Sequence, residues 1–242
     1  MKPTVLVTGA SSGIGVGVVE VLCEAGYPVH AVARRRDRLQ ALAMRTGCTV
    51  RAVDVTDPGS VSALLEDVKP QIIVCNAGRG GGFDGIAGTT RDDIAATVDL
   101  NVTATLDLIR QSLPAMIAHG RGHIVTIGSV AALYPSVSAL YGGTKAAVGM
   151  IAQNLRLELH GTGIRVTDIR PGRVASEFYD VAIEDRTKSA VAKDTRIREL
   201  QPREIGDAIL YAISAPHHVN VSAIELQPLE QTYGGFNFDA WS

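Results

Sequence analysis

The chain has 242 residues, 23 Lys and Arg against 25 Asp and Glu, and a formal net charge of −2. That length buries a sizeable core, and the near-neutral balance leaves no basic footprint for nucleic acid. Apolar runs fall far short of the roughly 20 residues of a membrane helix, and Met1-Lys2-Pro3 runs straight into Val5-Leu6-Val7 without a secretory h-region. Cys23, Cys48 and Cys75 are too few and scattered for a disulfide framework, so the expectation is buried free thiols in a reducing cytoplasm.

Short apolar runs recur along the chain: Val5-Leu6-Val7, then 29–33, 49–53, 72–75, 124–127, 166–169 and 223–226. Most are continuous rather than alternating, which suits strands covered on both faces. Segments of helical period separate them, such as Val18-Val19-Val21-Leu22 and Val61-Leu64-Leu65. The alternation predicts an α/β doubly wound fold with a parallel sheet of seven strands and right-handed crossovers. No linker or composition break divides the chain, so 1–242 is read as one domain.

Two helical segments, 94–117 and 139–159, are apolar on more than one face. In the second, Val148, Ile151, Leu155 and Leu159 form one stripe, and Ala147, Met150 and Leu157 another. One stripe can cover the sheet; the other is a candidate subunit interface, or a second internal contact.

The first strand ends in Gly9-Ala10-Ser11-Ser12-Gly13-Ile14-Gly15, followed at once by a helix. Glycines at a strand-to-helix turn let the main chain turn sharply and meet a pyrophosphate, which the N–H groups of the helix start then face. Ser11 and Ser12 can add hydroxyl donors. The second strand ends at Ala33, and Arg34-Arg35-Arg36 follow. A carboxylate at this tip would bond a ribose 2′-hydroxyl, whereas a guanidinium fork suits a 2′-phosphate, so the tip reads NADP(H) over NAD(H). The competing reading is a solvated basic helix start, which the helix dipole opposes. Asp54-Val55 after the third strand and Asn76-Ala77-Gly78 after the fourth lie on the same carboxyl edge. The Asp54 carboxylate can accept from an adenine amino group and Gly78 permits close approach, though either pair can be plain turn chemistry.

Ser129 follows the fifth strand, and Tyr141-Gly142-Gly143-Thr144-Lys145 lies twelve residues on. On a helix Tyr141 and Lys145 share a face. The pair makes sense for carbonyl reduction, where hydride adds to carbon and the oxygen needs a proton. A phenol of ordinary pKa near 10 needs about 4 kcal/mol of tyrosinate stabilisation to work near neutrality. One ammonium at ~4 Å supplies about that at an effective dielectric of ~20.

Taken in order, Thr8-Gly9-Ala10-Ser11-Ser12-Gly13-Ile14-Gly15, Asp54-Val55, Asn76-Ala77-Gly78, Asn101, Ser129, Tyr141 with Lys145, and Pro171-Gly172 resemble the short-chain dehydrogenase/reductase superfamily over nearly the whole chain. The resemblance implies a Rossmann fold with strand order 3-2-1-4-5-6-7 and a tetrad of Asn101, Ser129, Tyr141 and Lys145. In it Tyr141 is the acid/base and Ser129 orients substrate. Lys145 lowers the Tyr141 pKa and binds the nicotinamide ribose, and Asn101 holds a water in a relay behind Lys145. It also implies cofactor contacts from Pro171, Gly172, Val174 and Ser176, the last with its hydroxyl near the nicotinamide amide.

The ending Ala215-Pro216-His217-His218-Val219-Asn220-Val221 with Ile224-Glu225-Leu226-Gln227-Pro228, and the stretch Pro171 through Phe178, resemble the bacterial serine and 3-hydroxy acid dehydrogenases and clavulanate-type dehydrogenases. The implied activity interconverts an alcohol and a ketone or aldehyde, with a small polar 3-hydroxy acid or serine-like substrate first. A carbonyl reductase of secondary metabolism is second, and a noncatalytic NADP-binding regulator is a different class of answer. Arg79 or Arg173 is a candidate for a substrate carboxylate, or a loop arginine in solvent. The charge-rich segment 173–201 is placed to act as a lid. In the tail 227–242, Tyr233, Phe236, Phe238 and Trp241 are expected to dock on a neighbouring subunit of a homo-oligomer, dimer or tetramer. No zinc spacing and no Gly-x-Ser-x-Gly elbow is present, so no metal site and no hydrolase is expected.

Overall fold

The structure, a computed structural model, describes residues 2–183 and 185–231. Its strands are β1 (Val5–Thr8), β2 (Val29–Ala33), β3 (Thr49–Ala52), β4 (Ile72–Cys75), β5 (Gly122–Ile127), β6 (Ile164–Pro171) and β7 (Ala223–Leu226). They form one sheet in the order β3-β2-β1-β4-β5-β6-β7. All neighbours are parallel, with Val5 opposite both Val29 and Ile72, and Thr126 opposite Asp168. The order reverses direction between β1 and β4, so their carboxyl ends open a crevice at the point where ligands bind in this architecture.

Continuous apolar strands need cover on both sides, and the helices supply it. They are α1 (Gly13–Glu24), α2 (Arg36–Thr46), α3 (Pro58–Val68), α4 (Arg91–Val98), α5 (Ala104–Ala118), α6 (Ala139–Glu158), α7 (Phe178–Ala182), α8 (Arg186–Lys193) and α9 (Pro202–Ser214). Val5 and Val7 pack with Val18, Leu22, Leu39, Ile205 and Ile209, from α1, α2 and α9. The intervening Leu6 faces the other way, among Val61, Leu108, Ile109 and Leu155 from α3, α5 and α6 and Ile124 from β5. One strand thus divides its side chains between two cores, which is why its sequence does not alternate in polarity. Helices α1 and α9 touch backbone to backbone: a Cβ on Gly17 would lie 2.3 Å from the carbonyl carbon of Pro202.

The long segment 94–117 is not one regular helix. A π-helical turn, Asp99–Thr103, joins α4 to α5 and adds one residue per turn just where Asn101 sits. In α6 the first stripe is inward: Val148, Leu155 and Leu159 are buried. The second is open on this chain, with Met150 55% and Leu157 80% exposed.

The segment 173–201 leaves and rejoins the body at one place. Val174 bridges Leu200, and Ala175 N donates to Leu200 O at 2.8 Å. Some of its charges are paired. Lys193 meets Asp180 at 2.8 Å within the segment, while Lys188 reaches Asp84 at 2.5 Å across to the body. The aromatic positions Tyr233, Phe236, Phe238 and Trp241 lie outside the described residues.

Candidate active site

A single cleft of about 760 Å³ runs along the carboxyl edge, from the tip of β2 to the start of α6. Of the residues singled out above for cofactor or catalysis, all line it except Gly15 and Asn101.

Gly15 stands behind the turn and makes it possible. A Cβ there would lie 2.4 Å from Gly9 O. Gly9 and Gly13 have φ of +65° and +49°, the left-handed region that glycine enters without strain. Asn76 fastens this turn to the neighbouring strand: its Nδ2 donates to Thr8 O at 2.8 Å and Gly9 O at 3.2 Å. Thr8 Oγ1 accepts from Asn76 N and Ala77 N. Asn76 therefore shapes the turn from behind.

The turn fits a diphosphate. Ser12 is the N-cap of α1 but caps no backbone N–H with its side chain, leaving the first turn of the helix to face an anion. The Ser12 and Ser11 hydroxyls instead accept from Arg35, Nη2 at 2.6 Å and Nε at 3.0 Å. Across the groove Ser176 touches the turn, since a Cβ on Gly13 would lie 3.0 Å from the Ser176 Cβ. At the outer end Arg34 is 74% exposed in its side chain and 3.6 Å from Asp54. Asp54 also accepts from Thr56 N and Thr56 Oγ1, so its carboxylate serves its own turn as well as Arg34. A cation at the tip of β2, half free, suits a phosphate on the adenosine ribose.

At the inner end α6 begins under Ser138, whose Oγ accepts from Tyr141 N at 2.9 Å and donates to Gly81 O at 2.5 Å. That cap fixes the first turn of the helix, and so the Tyr141 ring, against the Gly80-Gly81-Gly82 loop. One turn on, the Lys145 Nζ lies 5.8 Å from the centre of the Tyr141 ring and donates to Ile127 O at 2.7 Å. Ser129 is buried, hydrogen-bonded to the Tyr141 phenol, and its Oγ accepts from Ala131 N at 3.1 Å. Asn101 reaches this group from the π-helical turn. Its Oδ1 accepts from Arg79 N at 2.8 Å, and its Nδ2 donates to Arg79 O at 2.9 Å and Thr144 Oγ1 at 3.0 Å. Gly78 lies between them: a Cβ there would meet Asn101 Oδ1 at 3.2 Å and Lys145 Nζ at 3.7 Å.

Burial holds the Tyr141 phenol above its ordinary value, opposed by the Ser129 hydrogen bond and reinforced by Tyr179. Desolvation is thus the largest influence on the phenol in the protein without cofactor. The ammonium suffers from the same desolvation: burial draws Lys145 down to about 8, with the Asp168 carboxylate opposing. Asp168 is buried on β6 and accepts from Thr126 Oγ1 at 2.8 Å and Arg170 Nε at 2.7 Å.

Arg173 lines the cleft but is not a loop arginine in solvent. It is buried, 2.7 Å from Glu199, bonded to Ala192 O, and stacked 4.0 Å from the Tyr179 ring centre. It holds the 173–201 segment together. Arg79 lines the cleft, 3.6 Å from Asp93. Phe83, Phe178 and Tyr179 form an aromatic cover, with Phe178 5.1 Å and Phe83 6.3 Å from the Tyr141 ring centre. Neither this cover nor Asp168 and Arg38 was singled out from sequence. The cluster draws on residues 83, 141, 178 and 179, and no local spacing joins them.

A model of the family described as short chain dehydrogenase matches residues 3–187. The chain belongs to that family. It is 34% identical over 242 aligned residues to the NADP-dependent 3-hydroxy acid dehydrogenase YdfG of Salmonella typhi, covering 96% of this chain and 98% of that protein. It is 32% identical to the serine 3-dehydrogenase of Agrobacterium fabrum, covering 98% of each. Among solved structures, the closed form of serine dehydrogenase complexed with NADP+ superposes with a TM-score of 0.91 at 33% identity, covering 98% of this chain and 100% of that one. This short chain dehydrogenase shares with those relatives a match that runs nearly end to end.

Proposed function

We propose that the protein is an NADP(H)-dependent oxidoreductase that interconverts an alcohol and a ketone or aldehyde, with Tyr141 as its acid/base. The observation that carries this reading is the meeting of Tyr141, Ser129 and Lys145 in the same cleft as the glycine turn and the Arg34–Arg35 tip. The chemistry NADP(H) supplies when bound is hydride transfer to or from carbon. Gly9, Ser11, Ser12, Gly13 and Ile14 line the diphosphate part of the cleft, with Gly15 as their support. Arg34 and Arg35 would hold the 2′-phosphate. Asp54 and Val55 would meet the adenine, and Asn76, Ala77 and Gly78 would lie under the cofactor. Pro171, Gly172, Val174 and Ser176, with Tyr141 and Lys145, line the same cleft and would hold the nicotinamide end.

Tyr141 protonates the carbonyl oxygen in reduction and takes the hydroxyl proton in oxidation. The Ser129 Oγ accepts from Ala131 N and its hydroxyl is hydrogen-bonded to the Tyr141 phenol, so a substrate oxygen seated between them would accept from both hydroxyls. The Lys145 ammonium, fixed on Ile127 O, stabilises the tyrosinate as the proton leaves. Asn101 has both amide hydrogens engaged. The free lone pair of its Oδ1 faces the same gap as Lys145 Nζ and is the acceptor for a water relay.

For substrate, we infer a short 3-hydroxy acid or serine-like alcohol, its carboxylate meeting Arg79. The named relatives and the position of Arg79 on the cleft support this. A second reading, a larger ring-bearing ketone or aldehyde, is favoured by the rings of Phe83, Phe178 and Tyr179 over Tyr141. A panel of 3-hydroxy acids, keto esters and cyclic ketones, assayed with both cofactors, separates the two. The first reading expects kcat/KM for acids to fall about 10-fold or more in Arg79→Ala, with neutral substrates unchanged. Equal effects on both would overturn it.

A further inference from the structure

Glu177 sits where the 173–201 segment crosses the basic tip of the cofactor groove. It follows Ser176, which touches the glycine turn, and is the N-cap residue of α7. Both of its carboxylate oxygens lie 2.7 Å from Arg38 Nη1, and Oε2 lies 3.3 Å from Arg35 Nη1. Arg35 in turn holds Ser11 and Ser12, so the carboxylate is one guanidinium away from the diphosphate turn. Arg35 is the N-cap of α2 and Arg38 stands on its first turn, beside the β2 tip where an adenosine 2′-phosphate would be read. The side chains of Arg35, Arg38 and Glu177 are 42%, 47% and 43% exposed, so an anion from solvent can reach all three.

We propose that Glu177 is an internal competitor for the adenosine 2′-phosphate and sets how tightly, and how selectively, the 2′-phosphorylated cofactor binds. This rests on the NADP(H) reading above. A dianionic phosphate with three acceptor oxygens is a stronger partner for two guanidinium groups than one carboxylate. The carboxylate nevertheless neutralises the pair first, and a phosphate arriving beside it meets a like charge a few ångström away. Either Glu177 swings out or the phosphate binds against its repulsion, and both weaken the complex. Half-exposed ion pairs are individually weak, so the exchange is reversible at ordinary cofactor concentrations. The Arg38 guanidinium beside Glu177 holds its carboxyl below the usual carboxylate range, so the competitor is charged throughout the neutral range.

The test compares wild type with Glu177→Gln, which keeps the shape, and Glu177→Ala, which removes it. Kd is measured by calorimetry for 2′,5′-ADP and for ADP, at low and high salt. The expected result is that both variants bind 2′,5′-ADP about 10-fold more tightly at low salt, with ADP unchanged and the gain shrinking as salt screens the charges. If wild type prefers 2′,5′-ADP but neither variant binds it more tightly, the NADP(H) reading stands and the competitor is overturned. Equal weakening of 2′,5′-ADP and ADP would show Glu177 to be a strap over the bound nucleotide, and would also overturn it. If no protein of the three prefers 2′,5′-ADP to ADP, the NADP(H) reading itself fails, and the competitor with it.

Discussion

Lys145 Nζ donates to the main-chain oxygen of Ile127 at 2.7 Å, which pins an ammonium to the end of β5 inside a desolvated cleft. The bond fixes the charge one helical turn from Tyr141, but burial works against that charge and draws Lys145 down to about 8. Two consequences can be measured.

The first is kinetic. In the mechanism proposed above, reduction needs a protonated Tyr141 and a charged Lys145 beside it. Burial holds the phenol above its ordinary value, so Tyr141 stays protonated across the neutral and mildly alkaline range. The group lost first as pH rises is the Lys145 ammonium. With NADPH saturating, kcat/KM for the carbonyl substrate is expected to be level from pH 6 to about 7.5 and to fall above about 8. A profile that stays level to pH 10 would contradict this role for Lys145.

The second is thermodynamic. In the unfolded chain Lys145 has its ordinary value of 10.5, and in the native state about 8, so the native state binds this proton less well. The penalty is full below about 8 and fades as pH rises from 8 to 10.5. At ~1.4 kcal/mol per unit it is about 3 kcal/mol, and the hydrogen bond to Ile127 O returns roughly 1–2 kcal/mol of that. Lys145→Met is therefore expected to abolish activity yet raise Tm by a few degrees at pH 7, with the gain shrinking toward pH 10. Thermal melts at the two pH values check it; a lower Tm at pH 7 would contradict it.

Arg34 projects from the tip of β2 and leans on nothing but Asp54 at 3.6 Å among its described ion pairs. Removing it leaves the glycine turn intact, because Arg35 and not Arg34 holds Ser11 and Ser12. Loss of one charge-assisted contact to phosphate is worth about 1.5–3 kcal/mol, so Arg34→Ala should raise KM for NADPH roughly 10- to 100-fold. KM for NADH should change little. Steady-state kinetics with both cofactors decide it, and equal rises would remove the 2′-phosphate role.

The strand runs were legible because the central strands are short, apolar and buried on both faces, as Val5, Leu6 and Val7 are, whereas the edge strands β3 and β7 are partly exposed and the strand order came only with the family resemblance. The residues lining the cleft were legible for a related reason: the turn after each strand is local, and its glycines and polar residues are consecutive. What was not legible is long-range or hidden in helix geometry. Glu177 meets Arg38 across 139 residues, and a charge-rich segment gives no hint of which charges it will find. The π-helical turn at Asp99–Thr103 adds a residue without disturbing the apolar pattern on either side. Arg173 and Arg79 look alike as loop cations. Both line the cleft, and only packing buries the first against Glu199 and Tyr179 while the second stays half-exposed beside Asp93. Desolvation of the Tyr141 phenol likewise has no signature in residue spacing.

The role of Tyr141 is tested most directly by following NADPH oxidation with a carbonyl substrate in wild type and Tyr141→Phe, alongside the Kd for NADPH of each. A proton donor at that position contributes about 10²–10⁴ in rate. The variant should bind NADPH as wild type does and lose reduction by at least about 100-fold. A variant that reduces carbonyls at near wild-type rate would contradict the assignment of Tyr141 as the acid.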